Sequence, residues 1–478
     1  MSINKKDTKN NIIILVVLIV TILVCTLPMK LSPYWNGQFL DYHHQYELLA
    51  ESFLNGHLYL DYNDIDEKLL AMDNPYDAKE RKKLGISVHW DHAFYKGKYY
   101  VYFGVAPTIL VFLPYRIIIG HALSTYHATQ LFTTLFIIGL FLLLYTIRKY
   151  FYKESKFSNY LLLSVALSVL SILGCITHPE LYCTAISSGL CMAIWSIYFY
   201  IRAIYGDNSL NKAIFLAAIG GLFGALTFAC RPPIGLINIV EIPLLIIFFK
   251  KYGLNKKTIM KVLIVLIPYI IIGASLMIYN YVRFDNVLEF GQSYQLTVAD
   301  QHDYLNILSK FNYKTIKSIL ENFFKLPKYY NYFPYVNTSS IFFNFPILLL
   351  PYILILDKKY RKNLKDKKLM LLYISLMILP FIITTLDALS TPYLIERYRM
   401  DEYYILAILT FISISNYYTI HKSKKDWLKI IINILAIITI IKCILLFFIP
   451  FDNNITDYNK NINTTINEKI SNFTSFLK

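Results

Sequence analysis

The stretch GVAPTILVFLPYRIIIG, residues 104–120, decides how the rest of the chain is arranged. It is apolar enough to be read as a membrane span, yet it places Pro107, Pro114 and Arg116 within 17 residues, short of the ~20 that a helix needs to cross a bilayer. Eleven other apolar runs have a suitable length: 11–29, 126–147, 158–176, 181–201, 213–229, 233–249, 262–281, 340–356, 369–386, 403–420 and 430–449.

Charge decides whether 104–120 joins them. If it does not cross, the connections 1–10, 148–157, 202–212, 250–261, 357–368 and 421–429 all lie on one side. They hold 25 of the 47 Lys and Arg residues and 6 of the 31 acids. Short cytoplasmic loops collect Lys and Arg, so that side is assigned to the cytoplasm. If 104–120 did cross, the last five clusters would turn outward while the basic N-terminal segment stayed inside. The stretch is therefore predicted to be a re-entrant or interfacial helix, tolerated at membrane depth only where protein or a cavity covers it.

Composition agrees. With 56% hydrophobic residues and a mean hydropathy of +0.45, the chain reads as an all-α polytopic membrane protein of about 11 transmembrane helices, not a soluble domain. The net charge of +16 is then no nucleic-acid signal, because short cytoplasmic loops facing anionic membrane lipids account for most of it. Six cysteines (Cys25, Cys175, Cys183, Cys191, Cys230 and Cys443) fall in or beside spans, where they read as small apolar packing residues rather than disulfides or thiolate ligands. Lys5, Lys6 and Lys9 precede the first apolar run, and Pro28, Met29 and Lys30 stand where a cleavage site would need small residues. That run is expected to remain as an uncleaved anchor.

The resulting topology is a transmembrane domain over residues 1–449 in the cytoplasmic membrane, with the N-terminus cytoplasmic and a polar, Asn-rich external tail over 450–478. Its long external loops are 30–125 and 282–339; shorter ones are 177–180, 230–232 and 387–402. The cytoplasmic loops carry no Walker sequence and no G-x-G-x-x-G after a strand, so function is expected outside. In the first external loop, DYHHQYELLAESFLNG opens at Asp41 and closes at Asn55-Gly56. Tyr46, Leu49, Ala50 and Phe53 keep helical spacing, so a helix lying on the membrane surface is expected, with its N-terminus beside the bundle.

Asp41 is the first candidate catalytic residue. An Asp at that place can cap the helix or act as general base at the water-lipid boundary. Asp91, within SVHWDHAFYKGKYYVYFG, is the second acid. His89 and His92 flank it, but H-x-D-H is not an established ligand spacing, so neither a metal nor another cofactor is assigned. YKGKYYVYFGVAP reads as a short hairpin leading into 104–120. His178 and Glu180 in THPELY, Arg231 in RPP, Arg283, and Arg397 and Arg399 in RYRMD all fall at outer span edges. Arginine there often snorkels, yet its fork of donors also suits a phosphate. These six are the candidate substrate-binding residues.

Several of these segments together resemble the GT-C superfamily of integral membrane glycosyltransferases, which includes the protein O-mannosyltransferases, the aminoarabinose lipid A transferases and the bacterial family 39 and Rgt-like enzymes. The resemblance rests on Asp41 shortly after the first span, FLNGHLYLD, YVYFGVAPTILVFLPY, THPELY, RPP and RYRMD. It implies a GT-C-like bundle with interfacial helices in the first external loop. It implies an inverting transfer, on the outer face, from a polyprenyl-phosphate-linked sugar donor to a glycan or lipid acceptor. It also implies Asp41 as base and the outer-edge arginines as ligands of the carrier phosphate. The chain departs from the Asp-Glu pair of the O-mannosyltransferases, since Tyr42 follows Asp41, and has Pro107 alone where many family 39 members have two prolines. A transporter or lipid-linked-glycan flippase is the alternative. Ionisable residues are almost lacking from the span centres, with Glu241 and Lys442 the clearest exceptions, whereas transporters place such groups near the midplane.

Overall fold

The structure is a computed structural model describing residues 5–30, 41–302, 311–327, 335, 339–391, 394–422, 426–447, 464–472 and 475. The side chains of residues 5–7, 30, 41 and 42 also lie outside this description, as does most of the predicted 450–478 tail. Among the described residues the protein is helical apart from one two-stranded ribbon. Nine helices among the described residues are long and apolar enough to cross a membrane: Thr8–Met29, Thr125–Phe151, Leu181–Tyr205, Leu210–Cys230, Pro232–Tyr252, Lys256–Phe284, Met370–Ser390, Glu396–Ile420 and Trp427–Leu446. Each coincides with a predicted span.

The other two predicted spans are broken. Residues 158–176 form Phe157–Ser171 and Leu173–Thr177, parted at Ile172; Gly174 follows the break, where the Met400 side chain fills the space a Cβ would need. Residues 340–356 form Ile341–Asn344, Pro346–Leu349 and Leu350–Leu354. Pro346 forces the break before it, because a residue preceding proline avoids the helical region, and Phe345 sits at φ −134°. The count of about eleven spans thus becomes nine continuous helices and two interrupted runs among the described residues.

Polar caps start several helices: Ser124, Ser209, Asn255 and Asp426 each accept a bond from a first-turn N–H. Leu181–Tyr205 and Glu396–Ile420 form the centre, with 83% of their most apolar window buried, against 17% for Lys256–Phe284 at the edge. The outward side chains of that edge helix, such as Leu263, Ile270 and Ile278, are apolar, as a lipid-facing surface requires.

The predicted external segments meet at one end. Asp91 N–H donates to Leu296 O (3.1 Å), Leu296 N–H to His92 O (2.9 Å) and Phe94 N–H to Tyr294 O (2.8 Å), which stitches the two long loops together. The predicted hairpin is Ala93–Tyr95 paired with Lys98–Tyr100; Lys96 and Gly97 turn it with φ of 49° and 73°, the consecutive positive values that a tight hairpin turn needs. The predicted cytoplasmic loops also meet one another. Lys251 Nζ donates to Ile204 O (2.9 Å) and Gly206 O (2.6 Å), Tyr205 Oη to Lys368 O (3.2 Å), and Lys422 pairs with Glu154 at 3.1 Å.

Residues 104–120 do not form a span. Their helix is Thr108–Ile119, about 18 Å long at 1.5 Å per residue against a ~30 Å hydrocarbon core, and Gly120 ends it at φ 89°. Gly104 threads against the end of Leu210–Cys230, where a Cβ would strike the carbonyl oxygens of Ala229 and Cys230. The helix predicted to open at Asp41 begins as a 3-10 turn, Asp41–His44, and continues as Gln45–Leu54. Its stripe does not lie on lipid as expected. Tyr46, Leu49 and Ala50 are buried, and Tyr46 stacks on Phe112 at 5.4 Å. Two apolar faces that each looked suited to a membrane surface cover one another instead, and Arg116 pairs with Glu51 across the same junction. Cysteines engineered at the exposed positions Lys98 and His121 should therefore both react with a membrane-impermeant maleimide added to intact cells. Protection of the His121 site, with labelling at Lys256, would contradict this topology.

Candidate functional site at the loop end of the bundle

The site is built on the first turn of Leu181–Tyr205, with Glu180 as its N-cap residue. The 41–44 turn is held against it because Glu47 Oε1 accepts from Thr125 N–H (2.8 Å) and Thr125 Oγ1 donates to His43 O (2.9 Å). Opposite stands Asp91, at φ 57°, a left-handed conformation that Asp tolerates better than most residues. Its carbonyl accepts from Gln45 Nε2 (2.9 Å), and its carboxylate accepts from Gln295 Nε2 (2.9 Å) and the Tyr182 hydroxyl.

Contacts then run on without a gap. The Arg397 guanidinium lies over the Tyr182 ring, 3.7 Å from its centre, and 3.7 Å from Glu180 Oε1. The other Glu180 oxygen is 3.7 Å from His43 Nε2, two residues from Asp41. Thus Asp91, Tyr182, Arg397, Glu180 and His43, drawn from three parts of the chain far apart in sequence, form one polar tract. His178 adjoins it, its Nδ1 2.9 Å from Thr177 Oγ1, with Arg397 acting on its charge. Asp41 opens the turn that carries His43, and the α-helix that follows has His44 as its N-cap residue. The Asp41 carboxylate lies outside the described residues.

The four outer arginines part company. Arg231 donates from Nε to Asp401 Oδ1 (3.0 Å) and Oδ2 (2.9 Å) and from Nη2 to Oδ2 (2.7 Å). Arg283 donates from Nη1 to Val101 O (2.6 Å) and from Nη2 to Asn280 Oδ1 (2.9 Å). Arg399 donates from Nε to Asn322 Oδ1 (3.0 Å) and lies 3.7 Å from Glu396. Arg283 and Arg399 thus tie parts of the fold together. Among the described residues Arg397, 31% exposed, meets the Glu180 edge and the Tyr182 ring face, which leaves its fork open to an anion. Asp401 was missed as a partner, as were Asp387, within electrostatic reach of the same Arg231, and Glu402, which accepts from Thr384 Oγ1 at 2.6 Å. Two acids opening an apolar run were a visible signal, because they are costly in a membrane unless paired. Tyr182 is the last residue of THPELY, and nothing in the sequence marked Gln295.

His89, Asp91 and His92 do not converge. His89 Nε2 is 3.0 Å from Asp64, while His92 uses Nδ1 on Trp90 O (2.8 Å) and Nε2 on the Tyr62 hydroxyl (3.0 Å). Among the described residues no three His, Cys, Asp or Glu side chains are grouped as metal ligands. Burial pushes the Asp91 carboxyl above its usual range, opposed by Tyr182, Arg397 and Gln295. Burial also pushes His43, His92 and His178 down to about 3, so all three are neutral near pH 7. A lowered histidine pKa stabilises the fold above about 6.5, and that contribution is lost as pH falls toward 3. For the fully buried His43 and His92 the loss approaches about 1.4 kcal/mol per pH unit each. The melting temperature in detergent should therefore fall steadily below pH 6.5, with a shallower slope in His92→Gln. An identical slope in that variant would refute the assignment for His92.

No protein-family model and no curated protein matches the chain. Two solved structures are similar in fold. One is the oligosaccharyltransferase of Archaeoglobus fulgidus in its apo form, 14% identical with a TM-score of 0.45, the match covering 90% of this chain and 56% of that one. The other is ArnT from Cupriavidus metallidurans bound to undecaprenyl phosphate, 11% identical with a TM-score of 0.43, covering 88% of this chain and 62% of that one. The chain thus spans less than two thirds of the length of either.

Proposed function

We propose that the protein is a GT-C-type glycosyltransferase of the cytoplasmic membrane, acting on its outer face. It takes a sugar from a polyprenyl-phosphate carrier and passes it, with inversion, to a glycan or lipid acceptor. The observation that carries this reading is the placement of Arg397, its fork open, within one tract with Asp91, Glu180 and the turn that begins at Asp41. A phosphate-linked sugar is already activated, so the chemistry needs only a base for the acceptor hydroxyl and a cation for the departing phosphate.

In this reading Asp41 takes the acceptor proton as the hydroxyl attacks the anomeric carbon, and the sugar-phosphate bond breaks toward Arg397. Asp91 orients the substrate, its carboxylate fixed by Tyr182 and Gln295. Glu180 and His178 position Arg397. Arg231 keeps Asp401 neutralised beside the site and supports the carrier phosphate through the remaining face of its guanidinium.

The test uses the lipid-linked sugar that accumulates when the gene is deleted, supplied to purified protein in liposomes. Arg397→Ala should lower kcat/KM about a hundredfold or more, as loss of one preorganised contact to a developing charge does. Arg397→Lys should recover only part, because a point charge replaces a fork. Wild-type turnover in Arg397→Ala would remove the phosphate role. Failure of the wild-type protein to consume the accumulated species, with movement of that lipid across the membrane instead, would favour a flippase.

A further inference from the structure

A second polar site lies within the membrane-spanning part. Helices Leu181–Tyr205, Leu210–Cys230, Pro232–Tyr252 and Lys256–Phe284 enclose a cavity of about 250 Å³. One wall is polar. Tyr269 Oη donates to Glu241 Oε2 (2.5 Å), Ser196 Oγ lies 3.0 Å from Glu241 Oε1, and Asn238 Nδ2 donates to Gly235 O (2.8 Å) and Gly224 O (3.1 Å). One turn along the same helices from Glu241 and Tyr269, the lining carries Leu245 and Leu266, both exposed. Glu241 is ten residues along from Arg231, about 15 Å at 1.5 Å per residue, and so stands apart from the loop-end site.

The cavity is built, not left over. A Cβ on Gly224 would collide with the Tyr269 hydroxyl, Asn238 and Glu241, and one on Gly220 would press on the Tyr200 ring. The glycines of the Leu210–Cys230 helix therefore make the room that the polar wall occupies. An ionisable residue at such depth is expensive to keep, and its usual explanation is a ligand or an ion. The lining contains no Lys or Arg, so an anionic headgroup would be desolvated beside a carboxyl without compensation.

We propose that this cavity is a lateral binding site for an uncharged lipid alcohol dissolved in the bilayer. A hydroxyl both donates and accepts, which suits a wall that carries the Glu241 carboxyl and the Tyr200 and Tyr269 phenols. Its tail leaves between Leu245 and Leu266 into the acyl chains. The site is independent of the transfer reading, and its test does not use transfer.

The full-length protein in lipid nanodiscs is irradiated with a diazirine-bearing farnesol, and in parallel with the matching farnesyl phosphate and farnesylamine; labelled peptides are mapped by mass spectrometry. The alcohol should label segments containing Leu245 or Leu266 at least tenfold more than the phosphate or the amine, and excess farnesol should compete it away. Leu245→Trp, which closes the lipid side without touching the polar wall, should abolish that labelling, and Glu241→Leu should remove the preference for the alcohol. Equal labelling by the three probes, preference for the phosphate or amine, absence of competition, or undiminished labelling in Leu245→Trp would each overturn the proposal.

Discussion

Asp41→Asn is expected to lower sugar transfer about a hundredfold or more, the scale of a lost general base, while the protein is inserted and accumulates at wild-type levels. The two effects separate because Asn is as good as Asp at satisfying the free N–H groups of a turn. Asp41 opens the 3-10 turn whose third residue, His43, is buried against Glu180, so the Asn variant should keep that docking. An amide cannot take a proton from the acceptor hydroxyl. The check is kcat/KM with the lipid-linked donor, beside the amount of folded protein by size exclusion in detergent. Asp41→Ala is less informative, since it removes turn bonding and basicity together. Near wild-type transfer by a well-folded Asn variant would move the base to Asp91 or Glu180.

The largest effect on stability is expected at Arg231 and Asp401. Asp401 is fully buried and Arg231 is 14% exposed, with bonds of 2.7 to 3.0 Å between them. Removing either partner leaves a buried charge uncompensated, which costs about 3 to 5 kcal/mol. Arg231→Met and Asp401→Leu should therefore each lower the melting temperature sharply. The double variant should recover most of that loss, because replacing both charges by apolar groups of similar size is close to neutral. A double variant as unstable as the sum of the two singles would show that the pair is not a unit. Transfer should remain impaired in the double variant if Arg231 also supports the phosphate, which separates the two roles.

The span pattern was legible for a plain reason: hydrocarbon leaves no alternative to long apolar helices, and each of the nine continuous helices coincides with such a run. The hairpin at Ala93–Tyr95 and Lys98–Tyr100 was legible from its Lys-Gly turn. The breaks at Ile172 and Phe345 were harder to see. Hydropathy sums over a run and does not register one residue leaving the helical region, although Pro346 was a local sign of the second.

The sequence by itself determined which segments are apolar enough to cross, that 104–120 is too short and too interrupted to join them, and which loops share a side, because length, charge and local backbone chemistry are properties of the chain alone. Only the tertiary structure decided which partner each polar side chain meets. Arg283 and Arg397 look alike as arginines at span edges. One donates to Val101 and Asn280 within the fold, while the other lies over Tyr182 with its fork open. The stripe of Gln45–Leu54 likewise suited a membrane surface equally well, until Phe112 of the neighbouring stretch was found covering Tyr46. Hydrogen bonds and apolar burial are made with whichever partner the folded chain brings within a few ångströms, and that partner lies tens to hundreds of residues away along the chain.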